Sequence, residues 1–247
     1  MAKVHLLMKK EEIDEEKMKD KVAVVFDVLL ATSTIAAGLH FGAKEVIPVL
    51  NGARALQEAQ ARNKGEYILV GEHEGITIEG FHDPLPLYLQ NNIQGKSMFL
   101  STTNGTVAIT RCVRANKVYM ASLLNGKAVA EMIKQNHPEE TIIIVCSGSS
   151  GAFCMEDFYG AGYFLDELLT EEYDWDLSDA SLSALLFYRN AMDQGKGILG
   201  ASRVGKQLQR ISEANLEFVA NRGIIRIVPY LTREGSIIAW QSSKHTI

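Results

Sequence analysis

Four groups of polar residues in this sequence could do chemistry, because each follows a short apolar run. In chain order they are Asp27; Gly71–Glu74; Ser101–Thr106; and Ser147–Gly151, with Glu156 and Asp157 about a turn later. Hydroxyls and backbone N–H groups at helix starts are good anion receptors. Carboxylates beside them repel an anion unless a cation lies between. Mg²⁺ takes oxygen ligands and bridges carboxylate to phosphate, so the pattern indicates phosphate chemistry assisted by a divalent metal.

Short apolar runs that predict strands alternate with segments of helical spacing. The predicted strands are Lys21–Phe26, Glu45–Leu50, Tyr67–Val70, Ser97–Leu100, Lys117–Met120, Thr141–Cys146 and Ile224–Val228. The predicted helices are a short one in Glu11–Glu16, then Ser33–Phe41, Gly52–Arg62, Gly105–Val113, Gly126–Gln135, Met155–Leu169, Ser178–Met192 and Val204–Ile211. This alternation predicts a three-layer α/β/α fold with a mostly parallel or mixed central sheet.

The same alternation predicts where the four polar groups meet. Ligands bind beyond the carboxyl ends of strands in such sheets, and parallel strands place those ends on one side. We expect a single phosphatase-like domain over residues 1–247, because no linker or low-complexity block divides the chain.

Composition excludes several classes of protein. The 247 residues carry a net charge of −5, which gives no basic face for nucleic acid. No apolar run approaches the roughly 20 residues of a membrane span, and the first ten residues lack the apolar core of a signal peptide. Three cysteines without CxxC spacing indicate neither a disulfide framework nor a zinc site. We therefore expect a cytoplasmic protein with no membrane or nucleic-acid partner.

Each polar group also has a structural interpretation. Asp27 is equally compatible with a helix cap, and Ser101–Thr106 with an ordinary turn. Glu156 and Asp157 would stabilise a helix dipole. Gly200–Gln207 is close to a nucleotide-binding P-loop, but Gln207 stands where that motif needs Ser or Thr to hold Mg²⁺.

Three motifs resemble those of the 2-phosphosulfolactate phosphatase family. They are Val25–Ile35; Ser101–Thr106; and Cys146–Gly151 with Glu156, Asp157, Ala161 and Gly162. The tail is similar too, at Leu216–Ala220 and Ile227–Pro229, so the resemblance spans nearly the whole chain. It implies a cytoplasmic, Mg²⁺-dependent phosphatase with a three-layer α/β fold. The reaction implied is hydrolysis of 2-phospho-3-sulfolactate to sulfolactate and phosphate, on a route toward coenzyme M.

With the resemblance, each polar group receives an expected role. Asp27 and Glu72 would hold Mg²⁺, with Glu156 or Asp157 completing the ligand set. Asp27, Asn104 and Asp157 are the expected catalytic residues. The residues expected to bind phosphate are Thr32, Ser33, Thr102, Thr103, Thr106, Ser147, Gly148 and Ser149. The expected partner is a small anionic phosphorylated substrate, and a homodimer is compatible with the sequence.

Two departures from the family pattern bear on the substrate. Leu30 and His73 stand where the family has arginines, and the stretch Gly80–Pro86 lacks the family's Asn-Ser pair. Each lost guanidinium removes a charge-assisted anion contact of about 1.5–3 kcal/mol. We therefore expect a less charged substrate or weak turnover of phosphosulfolactate. The alternative is a non-catalytic member of the family that binds a small anion.

Overall fold

The computed structural model describes residues 2–169 and 175–241. Within these residues the strands are β1 Ala2–Leu7, β2 Val22–Phe26, β3 Glu45–Pro48, β4 Tyr67–His73, β5 Ile76–Thr77, β6 Ser97–Ser101, β7 Lys117–Ala121, β8 Ile142–Cys146, β9 Trp175–Leu177, β10 Pro229–Leu231 and β11 Ile237–Ala239. The α-helices are α1 Ala31–His40, α2 Gly52–Ala59, α3 Pro86–Leu89, α4 Gly105–Arg111, α5 Gly126–Asn136, α6 Met155–Leu168, α7 Asp179–Asn190, α8 Gly195–Ala201, α9 Arg203–Ile211 and α10 Glu213–Val219.

All these strands join one sheet, in which an antiparallel hairpin connects two parallel blocks. The strand order is β5-β4-β6-β3-β11-β10-β7-β2-β8-β1-β9. Strands β7, β2, β8, β1 and β9 are parallel to one another, as are β3, β6 and β4, and β5 pairs antiparallel with β4 at the edge of the sheet. Between the blocks, β10 and β11 pair antiparallel with each other and with β7 and β3. The predicted α/β fold with a mixed, mostly parallel sheet is confirmed.

The composition of β2 explains its central place in the sheet. All five of its residues are buried, so each face of the strand must be covered. Val22, Val24 and Phe26 pack in one apolar core with α5, α6 and α7, whereas Ala23 and Val25 pack in another with α1 and α4. This alternation is the two-residue period of a strand, and it places helices on both faces.

The sheet curves around α1 and α4, which brings the ends of distant strands together. Four strands separate β2 from β6 in the sheet. Even so, Val25 of β2 and Leu100 of β6 share one core with Ile35 of α1 and Ile109 of α4. The carboxyl ends of β2 and β6 therefore meet because of curvature, although the antiparallel hairpin sets the two blocks in opposite directions.

One predicted strand is wrong. Ile224–Val228 forms no strand, and the ladder begins only at Pro229. The segment instead makes isolated backbone bonds with the loop after β7: Gly223 N donates to Leu123 O, and Ile225 N donates to Leu124 O, both at 2.9 Å. Its apolar residues are thus explained by packing against a loop.

The strand at the start of the chain was absent from the sequence prediction. Residues Ala2–Leu7 are buried and exposed in strict alternation until the last, and they pair in parallel with β8 and β9. The predicted helix in Glu11–Glu16 is instead two 3₁₀ turns, Lys10–Glu12 and Glu15–Met18. Because β1 is parallel to β8, Lys9 and Lys10 arrive at the same edge of the sheet as the polar residues that follow β2 and β8.

Candidate active site

Asp27 is the first residue after β2 and is almost fully buried, with 7% of its surface exposed. Its backbone is fixed by Thr32, whose Oγ1 accepts from Asp27 N at 3.1 Å and donates to Asp27 O at 2.9 Å. Its carboxylate Oδ1 accepts from Ala31 N at 3.4 Å, which is a long bond. The turn into α1 thus holds Asp27 at the sheet edge without neutralising its charge.

The environment of Asp27 disfavours its ionised form. Burial first, and then the nearby carboxylates of Glu72 and Glu156, raise the pKa of Asp27 to about 7. Such a group changes charge near neutral pH, which is uncommon for a carboxylic acid and typical of functional sites. A bound cation would favour the ionised form.

Glu72, near the end of β4, is held in place by the loop that follows β6. Its Oε1 accepts from Thr103 N at 2.7 Å, and its Oε2 accepts from Thr103 Oγ1 at 3.0 Å and from Gly75 N at 2.7 Å. These three donors fix the carboxylate beside Asp27. Glu72 is therefore held near Asp27 by contact with the loop that carries Thr103, 31 positions away in the sequence.

Asp157, in the first turn of α6, joins the loops after β2 and β8. Its Oδ1 accepts from Val28 N at 2.9 Å, and its Oδ2 accepts from Gly148 N at 3.1 Å. Burial first, and then the carboxylates of Asp27 and Glu156, hold the pKa of Asp157 well above its ordinary range. Both oxygens of Asp157 are thus engaged by backbone donors, and Asp157 is not among the residues that line the cleft of Asp27 and Glu72.

Glu156 faces a different part of the surface. Burial raises its pKa, while side-chain hydrogen bonds with Ser202 and Cys154 act in the opposite direction. It lines a small cavity with Ser149, Ser202 and Arg203, beside the cleft that Asp27 and Glu72 line. Glu156 therefore does not line the cleft of Asp27 and Glu72, although its charge acts on Asp27.

Most of the hydroxyls predicted to bind phosphate are engaged within their own loops. Ser33 Oγ donates to Val28 O at 2.8 Å, as Thr32 Oγ1 does to Asp27 O. Thr106 Oγ1 donates to Thr102 O at 2.8 Å, and Thr102 Oγ1 accepts from Thr106 N at 3.1 Å. These side chains shape the loops, as Thr103 does through its contacts with Glu72.

Ser147 differs from the other hydroxyl residues. It is fully buried, its N–H donates to Phe26 O at 2.8 Å, and its Oγ has no hydrogen-bond partner among the described residues. Gly148, with φ of +66°, turns the chain so that its N–H reaches Asp157. Ser149 pairs its backbone with Ala152. The backbone of Ser147 therefore lies next to Phe26, the residue that precedes Asp27.

Asn104 lies at the start of α4 and lines the same cleft as Asp27 and Glu72. Its side chain does not cap the helix. Its Oδ1 instead accepts from Lys10 Nζ at 2.8 Å. Lys10 is not among the residues predicted from the sequence, although the alternation in Ala2–Leu7, followed by two lysines, is a signal of the same kind as the other strand ends.

The cleft is lined by acidic and polar residues together with apolar ones. Its polar lining residues are Asp27, Glu72, Asp83, Thr102, Asn104 and Gln207. Its apolar lining residues are Leu29, Leu30, Pro84, Leu85, Val204, Leu208 and Ile211. None of the described residues that line it is Lys or Arg, so an anion entering the cleft meets negative charge.

The wall formed by α9 also explains the near match to a P-loop. A Cβ on Gly205 would lie 1.7 Å from Leu199 O, so this glycine is required where α9 packs against α8. Gln207 donates from Nε2 to Gly75 O at 3.4 Å. Gly205 of this pattern is thus accounted for by helix packing.

The two departures from the family pattern occupy different environments. Leu30 is half-buried and lines the cleft, whereas His73 is exposed at the end of β4 and is not among the lining residues. A cationic side chain at position 30 would face a ligand directly.

The carboxylates of Asp27 and Glu72 together fit a divalent cation. Within residues 2–169 and 175–241, no three Asp, Glu, His or Cys side chains form a group that could hold a metal ion, so the four predicted carboxylates do not make one ligand set. Asp27 and Glu72 are two hard oxygen ligands whose mutual repulsion a cation would relieve. Mg²⁺ commonly takes one or two carboxylates and fills its remaining positions with water and substrate phosphate.

Among the described residues, none of the helices has the length and apolar character needed to cross a membrane.

Comparison with known proteins identifies relatives over nearly the whole chain. The family model described as 2-phosphosulpholactate phosphatase matches residues 7–234. A protein of Clostridium acetobutylicum named probable 2-phosphosulfolactate phosphatase is 35% identical over 237 residues, covering 93% of this chain and 97% of its own length. A protein of the same name from Clostridium tetani is 35% identical over 233 residues, with 92% and 96% covered.

Proposed function

Because the chain belongs to the 2-phosphosulfolactate phosphatase family, we propose that it hydrolyses a small phosphorylated hydroxy acid of the phosphosulfolactate type. The observation that carries this proposal is the buried Asp27, whose pKa of about 7 is set by burial and by Glu72 in a cleft beside Asn104. A carboxylate of this kind is suited to bind a cation or to exchange a proton near neutral pH.

In the proposed reaction, a water oxygen attacks phosphorus and the ester bond to the hydroxy acid breaks. The water contributes its hydroxyl to phosphate and a proton to the leaving alcohol, so the products are a free hydroxy acid and inorganic phosphate. Negative charge accumulates on the phosphoryl oxygens during this step, and catalysis consists of positioning and charge stabilisation.

Asp27 and Glu72 would hold Mg²⁺, whose positive charge would neutralise the phosphoryl oxygens in a cleft without a lining cation. The orphan Ser147 Oγ beside the end of β2 supports a further polar ligand or water at this edge. Asn104 contributes amide N–H donors toward the phosphoryl group. Asp157 acts indirectly, because it fixes the loops that carry Val28 and Gly148.

The apolar lining of the cleft supports a substrate with a small carbon skeleton. Leu29, Leu30 and Leu85 offer apolar contacts, and Leu30 replaces a charge that the family pattern places there. We expect the chain to bind the sulfonate of 2-phosphosulfolactate less tightly than a member with arginine at this position. The reaction would take place in the cytoplasm, where the free cysteines Cys112, Cys146 and Cys154 stay reduced.

Phosphate release from 2-phosphosulfolactate and from an aryl phosphate, with Mg²⁺ and with EDTA, tests this proposal. We expect release from at least one substrate that depends on Mg²⁺ and is lost in Asp27→Asn. Binding of phosphate without any turnover would favour the non-catalytic alternative. Full activity in EDTA would contradict the role proposed for Asp27 and Glu72.

A further inference from the structure

Lys10 connects the first strand to the active site. It follows β1 and is almost buried, with 9% of its surface exposed. Its Nζ lies 2.8 Å from Asn104 Oδ1, across 94 positions of sequence, and 3.0 Å from Glu11 Oε1. The backbone N–H and C=O of Lys10 are both hydrogen-bonded. Lys10 N donates to Ser147 O at 3.3 Å, and Lys10 O accepts from Arg111 Nη1 at 2.7 Å.

This contact decides which way the amide of Asn104 points. A lysine ammonium can only donate hydrogen bonds, so the atom of the amide that faces it must be the carbonyl oxygen. The Nδ2 group of Asn104 is then directed away from Lys10. Among the described residues Nδ2 makes no hydrogen bond, and Asn104 is one of the residues that line the cleft. Two N–H donors are thereby left for a ligand.

We propose that Lys10 is a positioning residue that holds Asn104 with its N–H donors toward the phosphoryl group, an inference that rests on the proposed phosphatase function. In the opposite orientation, Oδ1 of Asn104 would face the phosphoryl oxygens and repel them. The ammonium charge also polarises the amide, which strengthens its N–H groups as donors. Lys10 thus determines whether the N–H donors or the carbonyl oxygen of Asn104 face the substrate, without touching the substrate itself.

A double-mutant cycle tests this role. The variants are Lys10→Met, Asn104→Ala and the two together, and Lys3→Met is the control because Lys3 is an exposed lysine of β1, the strand that precedes Lys10. We expect Lys10→Met and Asn104→Ala each to lower kcat/KM by about 10- to 100-fold, the value of a hydrogen bond to a charged group. We expect the double variant to lose no more than Asn104→Ala alone, and Lys3→Met to match the wild type.

Additivity separates positioning from general stabilisation. If the losses of Lys10→Met and Asn104→Ala multiply in the double variant, Lys10 does not act through Asn104, and the inference is overturned. Lys10→Arg keeps a cationic donor and should retain most of the activity. If Lys10→Met does not fold, as judged by circular dichroism, Lys10→Gln takes its place in the cycle, since an amide does not dictate the orientation of Asn104.

The proposed function and this inference fail in different ways. A wild-type protein that releases no phosphate from any tested ester contradicts the phosphatase proposal and, with it, this role of Lys10. An active wild type with unchanged kcat/KM in Lys10→Met contradicts only the inference about Lys10. Titration calorimetry with inorganic phosphate gives a second measurement, in which Lys10→Met and Asn104→Ala should weaken binding by similar factors.

Discussion

Gly105, the first residue of α4, lies against the carboxylate of Asp27. A Cβ at position 105 would be 2.5 Å from Asp27 Oδ2 and 2.4 Å from the Cβ of Ala31. The two residues are 78 positions apart, and four strands separate β2 from β6 in the sheet. This close approach shows that the loop after β6 forms one wall of the pocket around Asp27.

Gly105→Ala should therefore damage the site and the fold together. The added methyl group must displace Asp27 or α1, and overpacking of this kind costs about 1–3 kcal/mol of unfolding free energy. We expect a lower Tm and a large loss of kcat. Gly197→Ala is the matched control, because a Cβ at that position in α8 meets nothing within 4 Å. An active Gly105→Ala protein of normal Tm would contradict the described wall.

Asp27→Asn should preserve the fold and abolish function. Asn keeps the oxygen that accepts from Ala31 N and removes the charge. We expect kcat to fall at least about 100-fold. Mutation of a residue that only orients a metal ligand typically lowers metal affinity or activity about 10- to 100-fold, and loss of the ligand itself should exceed that. Phosphate release and Mg²⁺ affinity measure the effect. Unchanged values for both would reduce Asp27 to a structural residue.

The raised pKa of Asp27 predicts a specific dependence of stability on pH. In chelator, the folded protein binds a proton on Asp27 up to about pH 7, whereas the unfolded chain releases it near 3.8. The free energy of unfolding should therefore fall as pH rises from about 4 to 7, and Asp27→Asn should lack this decrease. Mg²⁺ should raise the Tm of the wild type more at pH 8 than at pH 5.5, because it binds the ionised form.

Thermal melts at four pH values, with and without Mg²⁺, measure this linkage. A difference in Tm between wild type and Asp27→Asn that stays constant from pH 4 to 7 in chelator would show that Asp27 titrates normally.

Glu72→Gln should lower the pKa of Asp27. Of the like charges that raise it, Glu72 has the largest effect, and glutamine can keep accepting from Thr103 while losing that charge. Carbon-13 NMR titration of aspartate-labelled protein in chelator would follow the Asp27 carboxyl, assigned with Asp27→Asn. Glu79→Gln, at an exposed position, serves as the control. An unshifted Asp27 titration in Glu72→Gln would disprove the coupling.

Leu30→Arg should improve turnover of 2-phosphosulfolactate more than His73→Arg does. Leu30 lines the cleft, whereas His73 is exposed outside the lining, so the structure makes the second substitution a control for added charge. We expect kcat/KM to rise about 10-fold or more in Leu30→Arg, the value of one charge-assisted contact. Equal effects of the two substitutions would show that the cleft does not hold the sulfonate.

Local patterns in the sequence were sufficient to identify the central strands. β2 and β8 are continuous apolar runs, and their burial on both faces requires no knowledge of their neighbours. The polar residues after such runs were also predictable, since a strand covered by helices can expose polar groups only at its ends. The sequence therefore determined which loops carry Asp27, Glu72 and Asn104.

Tertiary structure decided what those loops do with their side chains. Thr32, Ser33, Thr102 and Thr106 satisfy backbone groups in their own turns, and nothing in their identity distinguishes that use from binding a ligand. The pairing of β1 with β8 brought Lys10 to Asn104 across 94 positions. Curvature of the mixed sheet brought Gly105 to Asp27. These contacts depend on long-range pairing, which no local pattern of residues specifies.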